Sequence, residues 1–425
     1  MTQPPDRPLP ADERPLDTTP IHTEDLPPTP TRDRNIVASA WIEAPAELLT
    51  LGDDLPAPDG PLVTAYKRRI GPWLLWRVGP AKGADARYFA VRADDLADPQ
   101  LLTLLRHDAD PFNRWEAAQR LALKRLLRAA RSGHALQLDH AYLEAMRSLL
   151  RDPQLDAAFK AQALTLPEAA YIAEQLQSVD PQAIHGAVEA AWDQLAAELR
   201  ADWEWAFEAH QVRGGYSPQA RDAGCRQLAN LALALLVRDA THKGESIWPG
   251  KAYQRVKDAG NMTERFGALA ALVNAHAALA DTALAQFHQQ FAHEPLVIDK
   301  WFMLQARAPE RDGKVFERAR KLAQHPDFTL KNPNRARSLL VQLCNLNPGA
   351  FHRADAGGYV FWAEQVAAID ALNPQLAGRL ARAMDRWAVL AEPYRAAAQE
   401  ALKRLAERPS LSGDVREIVG KALGA

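Results

Sequence analysis

Apolar residues recur at intervals of three and four from about residue 98 to the C-terminus, where Leu and Ala dominate. This spacing is typical of amphipathic α-helices. Between residues 36 and 97 the pattern changes to short runs rich in Val, Ile, Tyr, Phe and Trp, separated by Pro and Gly. Such runs predict a small β-containing unit. We therefore predict a mainly α fold, with a helical domain over 98–425 preceded by a small β-containing unit over 36–97.

The first 35 residues follow neither pattern. They are rich in Pro, Thr and acidic residues and have almost no aromatic or β-branched aliphatic residues. A segment of this composition cannot bury enough apolar surface to offset its chain entropy. The sequence therefore predicts a disordered, Pro-rich tail over 1–35.

Asp-Pro and Asn-Pro pairs punctuate the helical part. An Asp or Asn side chain accepts hydrogen bonds from the free N–H groups at a helix start, and Pro at the first helical position gives up a donor that has no partner there. Many short helices joined by tight turns favour an irregular HEAT or armadillo-like helical superhelix. An ordinary, non-repeating helical domain is the alternative. The predicted helix starts are at Asp98, Asp110, Asp152, Asp180, Asn332, Asn347 and Asn373.

Two arginines stand out on the helices that begin at Asn332 and Asn373. On the first helix, Arg335 is predicted to face water, whereas Arg337 lies at the rim of the apolar stripe, where its stem can be covered. Arg379 has the same rim position on the second helix. Two rim arginines can bind a carboxylate, although ion pairs with acids on neighbouring helices explain them equally well. The predicted buried stripe of the first helix is Ala336, Leu339, Leu340 and Leu343.

Charge and cysteine content exclude several classes of function. The chain has 51 Lys and Arg against 53 Asp and Glu, so it has no global field that would attract nucleic acid or an anionic membrane. Cys225 and Cys344 lack metal-ligand spacing, which fits a reducing compartment. The N-terminus lacks the apolar region of a signal peptide, and no apolar run reaches the ~20 residues of a membrane span. We expect a cytoplasmic protein that binds no nucleic acid.

Several segments in order along the chain resemble the C-terminal helical domain of bacterial aminopeptidase N, in the zinc-dependent M1 aminopeptidase family. The similarity runs from about Leu101 to the C-terminus. The segments that carry it include DPFNRWEAAQ (110–119), ALTLPEAA (163–170), AGNMTERFGALAAL (259–272), LVIDKWFMLQA (296–306), HPDFTLKNPNRARSL (325–339), NPGAFHRADAGGYVFWAE (347–364) and LSGDVREIVGKAL (411–423).

The resemblance implies a fold and a role. In that family the helical domain is a superhelix of armadillo-like pairs that closes over the catalytic domain and shapes the chamber through which peptides reach the zinc. Two arginines of the domain look toward that chamber and can meet the far end of a peptide. The matching residues here are Arg337, in NPNRARSL, and Arg379, in LAGRLARAM.

The catalytic signatures of the family are absent from this sequence. Zinc aminopeptidases of this family need HExxH, a further glutamate ligand and a Gly-x-Met-Glu-Asn strand. The closest imitation is His293-Glu294, but Pro295 follows it and would break a helix that carried paired ligands. We therefore predict no catalytic residue, no metal ligand and no cofactor.

The function predicted is a non-catalytic helical-repeat module that binds a peptide or caps a separate aminopeptidase catalytic chain. The first hundred residues are too short to hold the catalytic domain of the family. One alternative is that the chain is part of a split or degenerate zinc-dependent aminopeptidase acting on peptide N-termini. Another is a general scaffold whose partner binds the β-containing unit.

Overall fold

The computed structural model describes residues 96–424, and it describes the backbone of residues 62–70, 73–80 and 87–92. The predicted disordered tail, 1–35, lies outside the described residues. The chain divides into two compact units, residues 1–118 and 119–425. The domain boundaries at residues 35 and 97 stay a prediction.

The first unit contains a three-stranded antiparallel sheet in the order β1-β2-β3. The first pairing aligns Leu62 with Pro80 and has an irregularity between Tyr66 and Arg68. The prediction of a β-containing unit is confirmed, since all three strands come from the runs of β-branched and aromatic residues. The strands are β1 (Leu62–Ile70), β2 (Trp73–Pro80) and β3 (Arg87–Arg92).

The remainder of the described chain is helical, as the three-and-four spacing predicts. In this part of the chain no helix combines the length and apolar character that a bilayer span requires. The α-helices are α1 (Asp98–His107), α2 (Pro111–Ser132), α3 (His140–Arg151), α4 (Ala157–Ala163), α5 (Ala169–Glu174), α6 (Pro181–Glu198), α7 (Arg200–Ala209), α8 (Ala220–His242), α9 (Ile247–Asp258), α10 (Met262–Asn274), α11 (Ala280–Phe291), α12 (Pro295–Arg307), α13 (Lys314–Leu322), α14 (Pro333–Ala336), α15 (Gln342–Cys344), α16 (Pro348–Phe351), α17 (Gly357–Asp370), α18 (Pro374–Ala381), α19 (Tyr394–Ala406) and α20 (Gly413–Leu423).

Three tighter or wider turns interrupt this succession. A π-helical turn over Arg337–Val341 joins α14 to α15. Two 3₁₀ turns, Arg382–Met384 and Trp387–Val389, follow α18.

Helices of the second unit pack on neighbours that are close in sequence. The 23-residue α8 contacts α4, α6, α7, α9 and α10, and further along α12 packs against both α13 and the π-helical turn. Large side chains that are less than 2% exposed fill the interfaces, among them Trp203, Phe287, Phe302 and Trp362. This succession of local packings builds a core along the length of the unit.

Two distant parts of the second unit also meet. Val179, just before α6, donates its N–H to the carbonyl oxygen of Val389 and accepts from the N–H of Ala391, both at 2.7 Å. Gln182 Nε2 donates to the carbonyl oxygens of Gly349 and His352 at 2.8 and 2.7 Å. These bonds tie the start of α6 to segments about 170 to 210 residues later in the chain.

Most of the predicted helix starts are confirmed by their caps. The side chains of Asp180, Asn332, Asn347 and Asn373 each accept from an N–H in the first turn of the helix that follows. Asp110 accepts from Phe112 N–H at 2.8 Å as α2 begins. An Asx-Pro pair is therefore a reliable start signal at these sites.

The helix start predicted at Asp98 is confirmed, but the start predicted at Asp152 is wrong. Helix α1 begins at Asp98 itself, with Ala97 and not Asp98 as its N-cap. Asp152 ends α3 instead of starting a helix, and Asp156 caps α4. The reason is local competition, because Asp152 Oδ1 accepts from Gln154 N–H in a turn, which is the other common use of an Asx side chain.

Candidate functional site

The helix that starts at Asn332 carries Arg335 and Arg337. Asn332 Oδ1 accepts from the N–H groups of Asn334 and Arg335. The predicted apolar stripe is confirmed, because each of its members is at most 1% exposed. The stripe fixes the helix against its neighbours and therefore fixes where each arginine lies.

Contrary to the prediction, Arg335 does not face water, because only 7% of the residue is exposed. Its Nε donates to Asp299 Oδ1 at 2.5 Å, and its guanidinium carbon lies 5.1 Å from the centre of the Phe302 ring. The prediction assumed that this helix has one buried face. In the structure α12 also packs against α14 and covers Arg335. A buried guanidinium is tolerated there because it is paired and hydrogen-bonded.

Arg337 is half-buried and is the first residue of the π-helical turn. Its Nη2 donates to Asn334 Oδ1. Within residues 96–424 it forms no ion pair with a carboxylate, in contrast to Arg335. Single π turns inside α-helices occur frequently at functional sites.

Arg379 lies on α18 and is exposed, while its neighbours Leu376 and Leu380 are buried. Asn345 Nδ2 donates to the Arg379 carbonyl oxygen at 3.3 Å. Helix α18 also packs against the π-helical turn. The fold therefore brings the two predicted arginines onto adjacent elements, and no carboxylate among the described residues pairs with Arg379.

Two buried acceptors lie close to these arginines in sequence and structure. Gln342 Oε1 and Asn345 Oδ1 are buried and accept no hydrogen bond from the described residues. A buried acceptor without a partner is unfavourable by roughly 1–3 kcal/mol.

A cleft of about 550 Å³ lies beside Asn345. Arg307, Arg382 and Arg386 provide its positive charges, and Glu168 and Glu174 its negative ones. Apolar side chains such as Leu166, Ile184 and Trp387 form much of the remaining wall. Neither Arg337 nor Arg379 lines this cleft.

His352 also lines the cleft and is nearly buried. Burial lowers the pKa of its imidazole from 6.5 to about 4, so the ring is neutral near pH 7. Its Nδ1 shares a hydrogen bond of 2.9 Å with the Tyr359 hydroxyl, and burial raises the pKa of that phenol. His352 therefore contributes no charge to the cleft at neutral pH.

His293 and Glu294, the closest imitation of HExxH in the sequence, lie between α11 and α12. His293 follows α11 and its side chain is 76% exposed, and Glu294 precedes Pro295, the first residue of α12. The two side chains therefore occupy a junction between helices and do not share one helix face.

Sequence reasoning missed a second group of potential ligands, His288, His325 and Asp327. One potential ligand atom from each residue lies within 4.8 Å of the others. His288 belongs to α11, and the other two follow α13. Burial lowers the pKa of the His325 imidazole, an effect that Asp327 opposes. No local motif could have found the group, because His288 is 37 residues from His325.

The helical part of the chain matches a known protein family. Residues 98–424 match the family described as "Domain of unknown function (DUF3458_C) ARM repeats". The chain belongs to this family. Its ARM-repeat description confirms the predicted armadillo-like repeat fold over the alternative of a non-repeating helical domain.

Curated relatives give the larger context of this ARM-repeat domain. Aminopeptidase N of Escherichia coli (strain K12) is 36% identical over 334 residues, which are 77% of this chain and 37% of that protein. Aminopeptidase N of Caulobacter vibrioides is 32% identical over 362 residues, or 80% of this chain and 41% of that protein. The chain thus spans about two fifths of the length of these relatives and corresponds to the C-terminal helical domain of M1 aminopeptidases.

A solved structure supports the same fold. The crystal structure of Legionella pneumophila aminopeptidase A in complex with aspartic acid superimposes with a TM-score of 0.70 and 23% sequence identity. The match covers 85% of this chain and 48% of that chain. At this identity the likeness establishes the fold alone.

Proposed function

We propose that this ARM-repeat domain binds peptides through the face that carries Arg337 and Arg379, and caps a separate M1 catalytic chain. The proposal rests on the position of the two guanidinium groups and on their lack of carboxylate partners. They lie on adjacent elements, and no carboxylate of residues 96–424 neutralises either one. Bidentate binding of a peptide carboxylate is the interaction for which such groups are best suited.

The surroundings support a peptide more than a simple anion. The neighbouring cleft offers apolar walls to peptide side chains. A peptide has donors, side chains and a terminal carboxylate together. The matched relatives are aminopeptidases, whose catalytic part is the expected partner of this domain.

The proposed compartment is the cytoplasm. Cys225 and Cys344 are both free, and free thiols persist in a reducing environment.

Fluorescence anisotropy with a labelled tetrapeptide tests the peptide-binding proposal. Arg337→Met and Arg379→Met should each weaken binding about tenfold or more, since a hydrogen bond to a charged group contributes roughly 1.5–3 kcal/mol. Arg404→Met is the matched control, because that side chain is 73% exposed on α19 and pairs with Glu400. Its affinity should equal that of the unaltered chain.

An amidated peptide makes the test specific for the carboxylate. Amidation should weaken binding to the unaltered chain as much as the arginine substitutions do, and it should have no further effect on the double variant. If the double variant binds the free-carboxylate peptide normally, the proposed role of the two arginines is wrong.

The alternative is a split or degenerate zinc-dependent aminopeptidase, which the names of the curated relatives favour. Hydrolysis of an aminoacyl chromogenic substrate tests whether this chain alone is an active enzyme. We expect no hydrolysis by this chain alone. Chelator-sensitive hydrolysis by the chain alone would establish the alternative and exclude a non-catalytic module.

A further inference from the structure

His288, His325 and Asp327 converge from two separate parts of the second unit. His288 Nε2 and Asp327 Oδ2 are 2.6 Å apart, and His325 Nδ1 lies 3.8 Å from the same oxygen. A tetrahedral zinc ion with bonds of about 2.0–2.1 Å holds its donor atoms about 3.3 Å apart. These two separations lie on either side of that value, and all three potential ligand atoms are within 4.8 Å of one another. Side-chain rotations that replace the His288–Asp327 hydrogen bond would bring the donors around one ion.

Aromatic packing holds both imidazole rings in place. The ring centres of His288 and His325 lie 4.8 and 5.4 Å from that of Trp301, and Phe302 packs edge-on against His325. Trp301 is itself fixed by a hydrogen bond from its Nε1 to the Leu284 carbonyl oxygen at 3.0 Å. The donor atoms are therefore presented from a rigid apolar wall.

The loop that carries Asp327 is also held. The Asp327 carbonyl oxygen accepts from Arg335, and a metal ion bound at His325 Nδ1 would replace the 3.1 Å hydrogen bond that this nitrogen accepts from the Asp327 N–H. The charge of Arg335 is compensated by Asp299, so the neighbouring guanidinium does not leave a net positive charge at the cluster. Asp327 carries the negative charge that a divalent cation would balance.

Solvent can reach the three side chains. They are 24%, 28% and 41% exposed for His288, His325 and Asp327, respectively. Two imidazoles and one carboxylate form a three-ligand set that zinc and related first-row ions accept, with water in the remaining position. A rigid, accessible set of this composition differs from an exposed acidic cluster.

We propose that His288, His325 and Asp327 form a binding site for Zn²⁺ or a similar first-row divalent ion, which clamps the loop after α13 to the end of α11. This site shares no residue with the face that carries Arg337 and Arg379. It does not depend on the peptide-binding proposal and requires no hydrolytic activity.

The test uses the full chain without a histidine tag, stripped of metal with a chelator and titrated with Zn²⁺ in a calorimeter. The unaltered chain should bind one equivalent. His288→Gln, His325→Gln and Asp327→Asn should each weaken binding at least tenfold, because even outer-shell partners of a metal are worth about 10–100-fold in affinity. His293→Gln is the matched control, since His293 is exposed at the end of the same helix and its loss should change nothing.

Two further measurements separate loss of the site from loss of folding. Zn²⁺ should raise the Tm of the unaltered chain and of His293→Gln, but not of the three ligand variants. Co²⁺ bound in place of Zn²⁺ should give the visible absorption of a low-coordinate nitrogen and oxygen site. Absence of stoichiometric binding by the unaltered chain, or binding that all three ligand variants retain, would overturn the proposal.

Discussion

Arg335 and Arg337 are two residues apart and have opposite environments. Arg335 is buried against Asp299 and the Phe302 ring, whereas Arg337 is half-buried and bonds only to the Asn334 amide oxygen among the described residues. The first side chain holds the helix to α12. The second has no carboxylate partner among the described residues. Identical side chains therefore have different environments because of what packs against them.

Substitution of Arg335 by Met should destabilise the protein by about 3–5 kcal/mol, because it leaves the largely buried Asp299 carboxylate without its partner. Urea denaturation measures the change in the free energy of unfolding. Arg337→Met is the control, and it should change stability by no more than about 0.5 kcal/mol. Replacing Asp299 by Leu in the Arg335→Met chain should recover much of the loss. Equal stability of the two single variants would contradict this role of Arg335.

At the scale of elements, short helices depend on their boundaries. Asn332, Asn347 and Asn373 cap helices of four to eight residues, which are too short to be stable by themselves. These helices are stabilised by their caps together with their packing against neighbouring helices. The tight junction between α16 and α17 is an example, because Gly358 lies so close to the preceding segment that an added Cβ would be 2.0 Å from the Phe351 carbonyl oxygen.

Gly358→Ala should therefore destabilise the protein by about 1–3 kcal/mol or more, since backbone must move to relieve the overlap. Gly186→Ala on α6 is the matched control, because nothing lies within 4 Å of its added Cβ. That change should stabilise the protein by up to about 1 kcal/mol through helix propensity. Thermal unfolding of both variants checks the difference. A Gly358→Ala chain as stable as the control would show that the junction relaxes easily.

At the scale of the second unit, the contact around His352 joins distant parts of the chain. The His352 carbonyl oxygen accepts from Gln182 on α6, and the Val179 and Ala391 backbones pair nearby. The His352 ring is buried beside Tyr359. A neutral, buried imidazole therefore lies where these distant segments of the second unit meet.

Acid should weaken the protein through His352. Its folded pKa of about 4 is below its ordinary value of 6.5, so the unfolded chain binds the proton first as pH falls. Stability is then fully retained above about pH 6.5 and decreases by up to about 3 kcal/mol as the pH falls to about 4. Urea denaturation across this range measures the decrease. The variant His352→Asn can keep a hydrogen bond to Tyr359, and its loss of stability over this pH range should be smaller by up to about 3 kcal/mol. If the variant has the same pH profile as the unaltered chain, His352 is not the group responsible.

Much of the architecture is already readable from local pattern. The three-and-four spacing identifies the helical part, the β-branched runs coincide with β1 to β3, and Asx-Pro pairs mark six helix starts. The buried stripe after Asn332 is correct as well. These features depend on hydrogen bonds and side-chain spacing within about one or two turns, which is why the sequence alone is sufficient for them.

The sequence by itself determined the helical class, most helix starts, the resemblance to M1 aminopeptidases, and Arg337 and Arg379 as the residues to test. Only the tertiary structure decided that Arg335 is buried, that Arg337 opens a π-helical turn beside α18, and that His288, His325 and Asp327 meet. Spacing along one helix defines its faces, but it does not reveal how many neighbours cover them. Contacts between residues tens or hundreds of positions apart depend on how every intervening helix packs, and no short pattern encodes that sum.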